Sequence, residues 1–459
     1  MEDITMRKIF QYIMLAVVTI VMASCTSDIE ETTATTAKNN VQLVVGEFPA
    51  FGDSQTRAIG TPDEGKTSWA EGDELLLVID NTSYGSHSAT FTYNGKSWEL
   101  TSGELVYREG DPAYIPHVYY APNYKWANTS LMLKKGKAAG TDELIEGNAI
   151  ITGNGETITV SFAEATRKYS RLRIATLPNE QITVDTEDFT PAGSSDMEQK
   201  GNYTLTSDEK GNAYLYGTFE NNSEVTVKYR EAALTTYTFS QATENAKSYA
   251  LDATVISANS AEEIKSAIEQ EVADGKTAIR LNLASDAGDN EFNAIREAFE
   301  KVQEGTIDLT LIGCKEIPAN GLNNSFQELE ALKSITLPDV TKLGKRALIY
   351  CENLETVNAP KVTAIDQQAF YSCQRLEKVI LGTLTDVRGE AYSEDGIFNG
   401  ISILKRQTDL YLPKNQEVMK GEFDENSNQY IWKPTGKSYF ASPNDEFLGY
   451  QFRSVRSWK

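Results

Sequence analysis

Soft and imidazole ligands are scarce in this chain, with four cysteines and two histidines among 459 residues. Two of the thiols, Cys351 and Cys373, stand in matching surroundings, "LIYCENLETVNAP" at 348–360 and "AFYSCQRLEKVILG" at 369–382, separated by 373 − 351 = 22 positions. Thiols so placed have three chemistries open: a disulfide, a metal site, or packing as small hydrophobes. If the two segments are equivalent coils of a repeat, their cysteines lie about 5 Å apart, inside disulfide range, but point in parallel. No close cysteine pair of the zinc type occurs. Packing is therefore expected. His87 and His117 each stand without an acidic or cysteine partner at ligand spacing, and a Ser-His-Asp set leaves no local signature because its members need not be neighbours. "DAGDNEF" at 286–292 and "SEDG" at 393–396 cluster oxygens but fit no twelve-residue calcium loop. Asp289 or Asn290 is expected to cap the helix that follows. Without a glycine-rich phosphate loop or dinucleotide fingerprint, the expectation is no enzyme, no cofactor and no metal.

The elements that position the thiols follow from the period. Leu354-x-x-Val357-x-Ala359-Pro360 aligns with Leu376-x-x-Val379-x-Leu381-Gly382 and, upstream, with Leu332-x-x-Ile335-x-Leu337-Pro338. The spacing is constant, 360 − 338 = 22 and 382 − 360 = 22. Between these strands Val340-x-x-Leu343 with Ala347-Leu348 recurs as Val362-x-x-Ile365 with Ala369-Phe370. A fixed period of this size marks a solenoid with one strand per coil. Each coil offers about six apolar side chains at roughly 1.5 to 3 kcal/mol apiece, while ordering its residues costs more than about 1 kcal/mol each. Coils must therefore stack. Stacking makes a column of Leu329, Cys351, Cys373 and, in a looser fourth coil, Ile401.

Strand alternation turns every second residue outward. This predicts one exposed sheet face made of Arg280, Asn282, Asp308, Thr310, Ser334, Thr336, Thr356, Asn358, Lys378, Ile380, Asp409 and Tyr411, the kind of face repeat proteins use for binding. The face is small and polar, with Tyr411 its lone aromatic.

The stretch "KVTAIDQQAFYSCQRLEKVIL" resembles the BspA-type leucine-rich repeats of bacterial surface proteins, and the likeness runs from about Ile317 to Leu381. Proteins with such repeats are associated with binding host matrix proteins and other bacteria, so the resemblance implies adhesion through the solenoid. "GEAYSEDG" at 389–396 interrupts the next coil, which finishes at "TDLYLP". Upstream, "SAEEIKSAIEQEVADG" carries a capping box, Ser260 with Glu263, and an apolar stripe of Ile264, Ile268 and Val272, and it reads as a helix. With "AIRLNL", a second helix and "IDLTLIG", it makes an α/β N-terminal cap over 256–315. Repeats are expected over 316–415 and a β cap of aromatic-rich strands over 416–459.

From Val41 to about 255 short alternating runs, "DELLLVID", "SATFTY", "TITVSF", "NAYLYGTF" and "EVTVKYR" among them, are spaced by turn residues as in all-β sandwiches, with room for two and a split near 160. "TRAIGTPDEGKTSWAEGDELLLVI" and the Tyr119-Tyr120-Ala121-Pro122 strand resemble the Mfa-like fimbrillins, lipoproteins related to fimbrial subunits. That family's mechanism implies proteolytic processing at Arg57 and subunit assembly by strand insertion into a groove. The expected fold is thus multidomain: fimbrillin-like all-β sandwiches followed by an α/β leucine-rich-repeat solenoid.

The opening "MRKIFQYIMLAVVTIVMASC" reads as a signal peptide over 1–24. Met22-Ala23-Ser24-Cys25 resembles a bacterial lipobox, which implies lipidation of Cys25 and an outer-membrane, surface-exposed location. Residues 25–40, acidic and almost devoid of apolar groups, form the expected tether. The net charge of −23 repels phosphate backbones, so nucleic acid is not an expected partner. The leading functional expectation is a surface lipoprotein adhesin for host matrix or bacterial surface proteins. The rival is an accessory or tip subunit partnered with fimbrial subunits, for which the run from "SYALDATVIS" into the solenoid is a poor design.

Overall fold

A computed structural model describes residues 42–53, 66–81, 85–105, 115–152, 157–162, 167–194, 196–230, 232–258, 260–321, 329–402 and 404–458. The signal peptide, Cys25, the tether and Arg57 lie outside them. Strand accounts for 45% and helix for 8%, which makes sheet topology the level at which sites are positioned.

A seven-stranded sheet comes first, running in spatial order Gln42–Val45, Thr157–Ser161, Ile145–Thr152, Ile115–Tyr120, Glu74–Asn81, Gly85–Tyr93 and Trp98–Gly103. Its inner face buries Leu75, Leu77, Ile79, Phe91 and Val118, the inward half of "DELLLVID" and its neighbours. Trp69 closes this core, edge-on to Phe48 at 4.8 Å and to Trp98 at 5.2 Å, while its indole N–H donates to Gly46 O at 2.8 Å. Three residues on, Gly72 adopts φ +93, a conformation a side chain resists, and Asp73 Oδ2 accepts the Ala70 N–H at 2.7 Å. The spacing of Trp69 and Gly72-Asp73 is thus a turn that aims an aromatic plug.

The second sheet, ordered Ala232–Thr238, Glu224–Tyr229, Gln181–Pro191, Asn212–Phe219, Ser170–Ala175, Lys247–Asp252 and Gly52–Asp53, carries Glu198–Thr206 beside Gln181–Pro191. The change of sheet falls between Ser161 and Ser170. At that joint the fully buried Arg167 donates to Glu143 Oε2 and Pro49 O, both at 2.8 Å, and lies 4.1 Å over the Phe51 ring. Bonded through its two terminal nitrogens, with Nε left without a partner, this buried guanidinium fastens the segment Phe48–Phe51 across both sheets.

From residue 256 the main sheet is parallel throughout. An eight-stranded sheet runs Ile256–Ser257, Ala278–Asn282, Ile307–Ile312, Leu332–Thr336, Thr356–Ala359, Lys378–Leu381, Asp409–Leu412 and Ser454–Ser457. Register pairs Ile335 with Val357 and Val357 with Val379, then Val379 with Leu410, so like positions touch like. Leu329, Cys351, Cys373 and Ile401 are all buried in one core. The cysteines are free; Cys373 Sγ donates to Leu348 O at 3.1 Å, a thiol contact compatible with apolar packing. Two helices, Ala261–Ala273 and Asp289–Phe299, connect the first three strands. Ser260 caps the first by accepting the Glu263 N–H at 3.3 Å. The second starts differently from expectation: Gly288 holds the cap position and Glu291 Oε2 accepts its N–H at 2.9 Å, so neither Asp289 nor Asn290 is the cap.

Short strands at the opposite side of each coil, Glu316–Ile317, Lys342–Leu343, Ala364–Ile365 and Asp386–Arg388, form a second parallel ladder. Beside it Thr341, Thr363 and Thr385 each donate from Oγ1 to the preceding coil's carbonyl, at Lys315, Thr341 and Thr363. This ladder ends in the hairpin Glu417–Asp424 and Gln429–Ser438. The 389–396 insertion is tied to that hairpin, with Trp432 Nε1 donating to Gly389 O at 3.0 Å.

Candidate binding face

The residues turned outward by alternation fall into two rows across the parallel sheet. One runs Asp308, Ser334, Thr356, Lys378 and Asp409; the other runs Arg280, Thr310, Thr336, Asn358, Ile380 and Tyr411, each step a direct register partner. Asn282 stands beyond the rows, opposite Ile312. Sequence reasoning therefore placed these side chains on one face. It did not foresee what covers the ends of that face.

Three of the expected exposed residues are buried. Arg280 donates from Nε to Leu234 O at 2.6 Å and from Nη1 to Thr254 O at 3.4 Å, so the second sheet lies against it. Thr310, its register partner, is buried as well. Asp409 is buried under the last strand, where its carboxylate takes Arg453 Nε at 2.7 Å, a second Arg453 nitrogen, and Ser454 Oγ at 2.7 Å. Those Arg453 bonds hold its pKa down at about 2. Alternation fixes the side of a strand on which a residue stands, not what packs over that side.

Between these covered ends lies the accessible part. Ser334, Thr336, Thr356 and Asn358 are short and half-buried, a shallow hydroxyl and amide floor. Ser334 Oγ donates to the exposed Asp308 at 2.5 Å. One coil further on the surface changes character: Ile380 and Tyr411 are half-buried neighbours, and the exposed Lys378 places Nζ 5.4 Å from the Tyr411 ring centroid. The final strand adds Arg456, register partner of Tyr411, exposed, with Nε donating to Ser454 Oγ at 2.9 Å. Sequence reasoning missed Arg456 because 454 − 409 = 45 positions separate its strand from Asp409's; the alternation in "FRSVRS" was its only signal.

Two other features bear on function. A cleft of ≈ 570 Å³ lies at the carboxyl ends of the first parallel strands, lined by Arg230, Asn282, Ser285, Glu291, Lys315 and Asp339 among others; its two cations and two carboxylates balance, so it selects no charge. His117 Nδ1 lies 3.6 Å from Glu146 Oε1 on the neighbouring strand, a partner that linear spacing did not reveal. Among the described residues, no three His, Cys, Asp or Glu side chains are grouped to hold a metal ion, and no helix is long and apolar enough to cross a membrane.

Residues 315–411 match the family of BspA type leucine rich repeat regions, in six copies. Among solved structures, the chain is similar to a candidate cell adhesion protein from Bacteroides fragilis NCTC 9343, with 11% identity, 47% of this chain and 92% of that one covered, and a TM-score of 0.28. It is also similar to a double mutant of the shaft pilin SpaA from Lactobacillus rhamnosus GG, at 13% identity, 47% and 96% coverage, and a TM-score of 0.18. No curated protein matches the sequence.

Proposed function

We propose that the chain is a surface lipoprotein of adhesion or recognition. In this reading it is anchored through Cys25, raised on fimbrillin-like β-sandwiches, and binds host matrix or bacterial surface proteins through the leucine-rich solenoid of residues 256–459. The observation that carries it is the open row of register-matched side chains from Thr336 through Asn358 and Ile380 to Tyr411, continuous over four parallel strands within the segment that matches the BspA type repeats. A rigid stack in which every coil supports the next presents such a face without ordering cost at binding. The test is deletion of residues 256–459 from chains displayed on cells. Adhesion to immobilised matrix proteins and to partner bacteria falls to background on this account. Undiminished adhesion overturns it.

A further inference from the structure

Resting on that reading, we infer that the energetic centre of the face is the patch Lys378, Ile380, Tyr411 and Arg456, and that its partner is an extended acidic peptide segment carrying apolar or aromatic side chains. Of the two outward rows, only this end combines apolar surface with cations: Ile380 and Tyr411 adjoin in register, Arg456 continues their row, and Lys378 stands over the Tyr411 ring at 5.4 Å. Binding energy concentrates where an aromatic and an arginine sit together at a partly desolvated centre.

Charge sets the partner's chemistry. The chain as a whole carries −23, yet the one carboxylate within this end of the rows, Asp409, is buried and spent on Arg453 and Ser454. Lys378 and Arg456 are both exposed, so an incoming carboxylate meets two cations, and the exposed carboxylate of the rows, Asp308, stands three strands away from Lys378. Two cations are few for a sulfated polysaccharide, which draws affinity from many ion pairs and brings little apolar surface to bury against Ile380 and Tyr411. An acidic segment with aromatic side chains uses both halves of the patch. Next to it, the low floor of Ser334, Thr336, Thr356 and Asn358 leaves room for the segment's backbone to continue along the face.

The test uses the full chain and a fluorescein-labelled random copolymer of glutamate and tyrosine, followed by anisotropy, with polyglutamate, polylysine and heparin as comparators. The copolymer is expected to bind more tightly than polyglutamate, while polylysine, drawn to the chain's net charge of −23, binds away from the patch and is not weakened by Lys378→Glu/Arg456→Glu. The double variant Lys378→Glu/Arg456→Glu, both positions exposed so that folding is spared, is expected to weaken copolymer binding at least tenfold. Tyr411→Ala is expected to do the same, and Thr336→Ala to stay within twofold. Absent copolymer binding, binding indifferent to the double variant, or heparin binding more tightly than the copolymer each overturns the inference. Cells that adhere through residues 256–459 while the copolymer fails to bind refute this inference alone. Adhesion that survives loss of those residues refutes the proposed function, and the copolymer titration then decides the patch by itself.

Discussion

Replacing Asp409 by Asn removes the charge that ties the last parallel strand to the stack while keeping the side chain's size. In the native chain the carboxylate accepts from Arg453 Nε at 2.7 Å and from Ser454 Oγ at 2.7 Å, beside a second Arg453 nitrogen. Its pKa is lowered from 3.8 to about 2, chiefly by the Arg453 hydrogen bonds. One pKa unit corresponds to about 1.4 kcal/mol, so the ionised form contributes about 2 kcal/mol to folding. Because the folded value lies below the unfolded one, this stability is fully present above about pH 4. It declines as pH falls toward 2 and is gone below both values. A chain of several units does not unfold in one step, so the readout must be local. Urea titration followed by pulse hydrogen exchange on peptides covering 404–412 and 454–458 provides it. At pH 7, Asp409→Asn is expected to lower the local urea midpoint by the equivalent of about 2 kcal/mol, and the gap to the native chain closes between pH 4 and pH 2. An unchanged midpoint at pH 7, or a gap as wide at pH 2 as at pH 7, refutes the reasoning.

Further expectations follow from the packing. Leu354→Ala empties a fully buried position in the repeat core and should cost about 2 to 5 kcal/mol, read as earlier exchange of the strands on both sides of that coil. Cys351 and Cys314 are buried thiols pushed up to about 12 by desolvation; at pH 8 neither should react with a disulfide reagent in the folded chain, and both should in urea. Arg167→Met leaves Glu143 buried without its cation and should destabilise the joint between the N-terminal sheets by about 3 to 5 kcal/mol, seen as loss of exchange protection in residues 42–53.

The repeat was legible in the sequence because every coil spends the same side chains on the same contacts: Ile335, Val357 and Val379 touch across adjacent strands, and any one of them changed alone leaves a misfit. The composition of the face was legible for the same reason, since parallel register carries alternation unchanged from strand to strand. Its accessibility was not. Arg280 is covered by a carbonyl 46 residues away in another sheet and Asp409 by a strand 44 to 45 residues downstream, and no local pattern encodes such contacts. Arg456 was missed on the same ground. The helix start at Gly288 shows a smaller failure, in which Glu291 reaching back to the cap N–H outweighed the usual preference for an Asp or Asn cap. In the N-terminal half, runs such as "DELLLVID" announced strands, but the handover at Arg167 between two sheets depends on Glu143 and Pro49, which spacing does not connect.

The most direct test of the account blocks the face without removing it. Full-length chains carrying Thr356→Glu and Ile380→Glu, two outward positions on adjacent strands, are displayed on cells and compared with the native chain for adhesion to matrix proteins and partner bacteria. The account predicts adhesion reduced to that of the 256–459 deletion with unchanged surface levels; adhesion equal to the native chain's contradicts it.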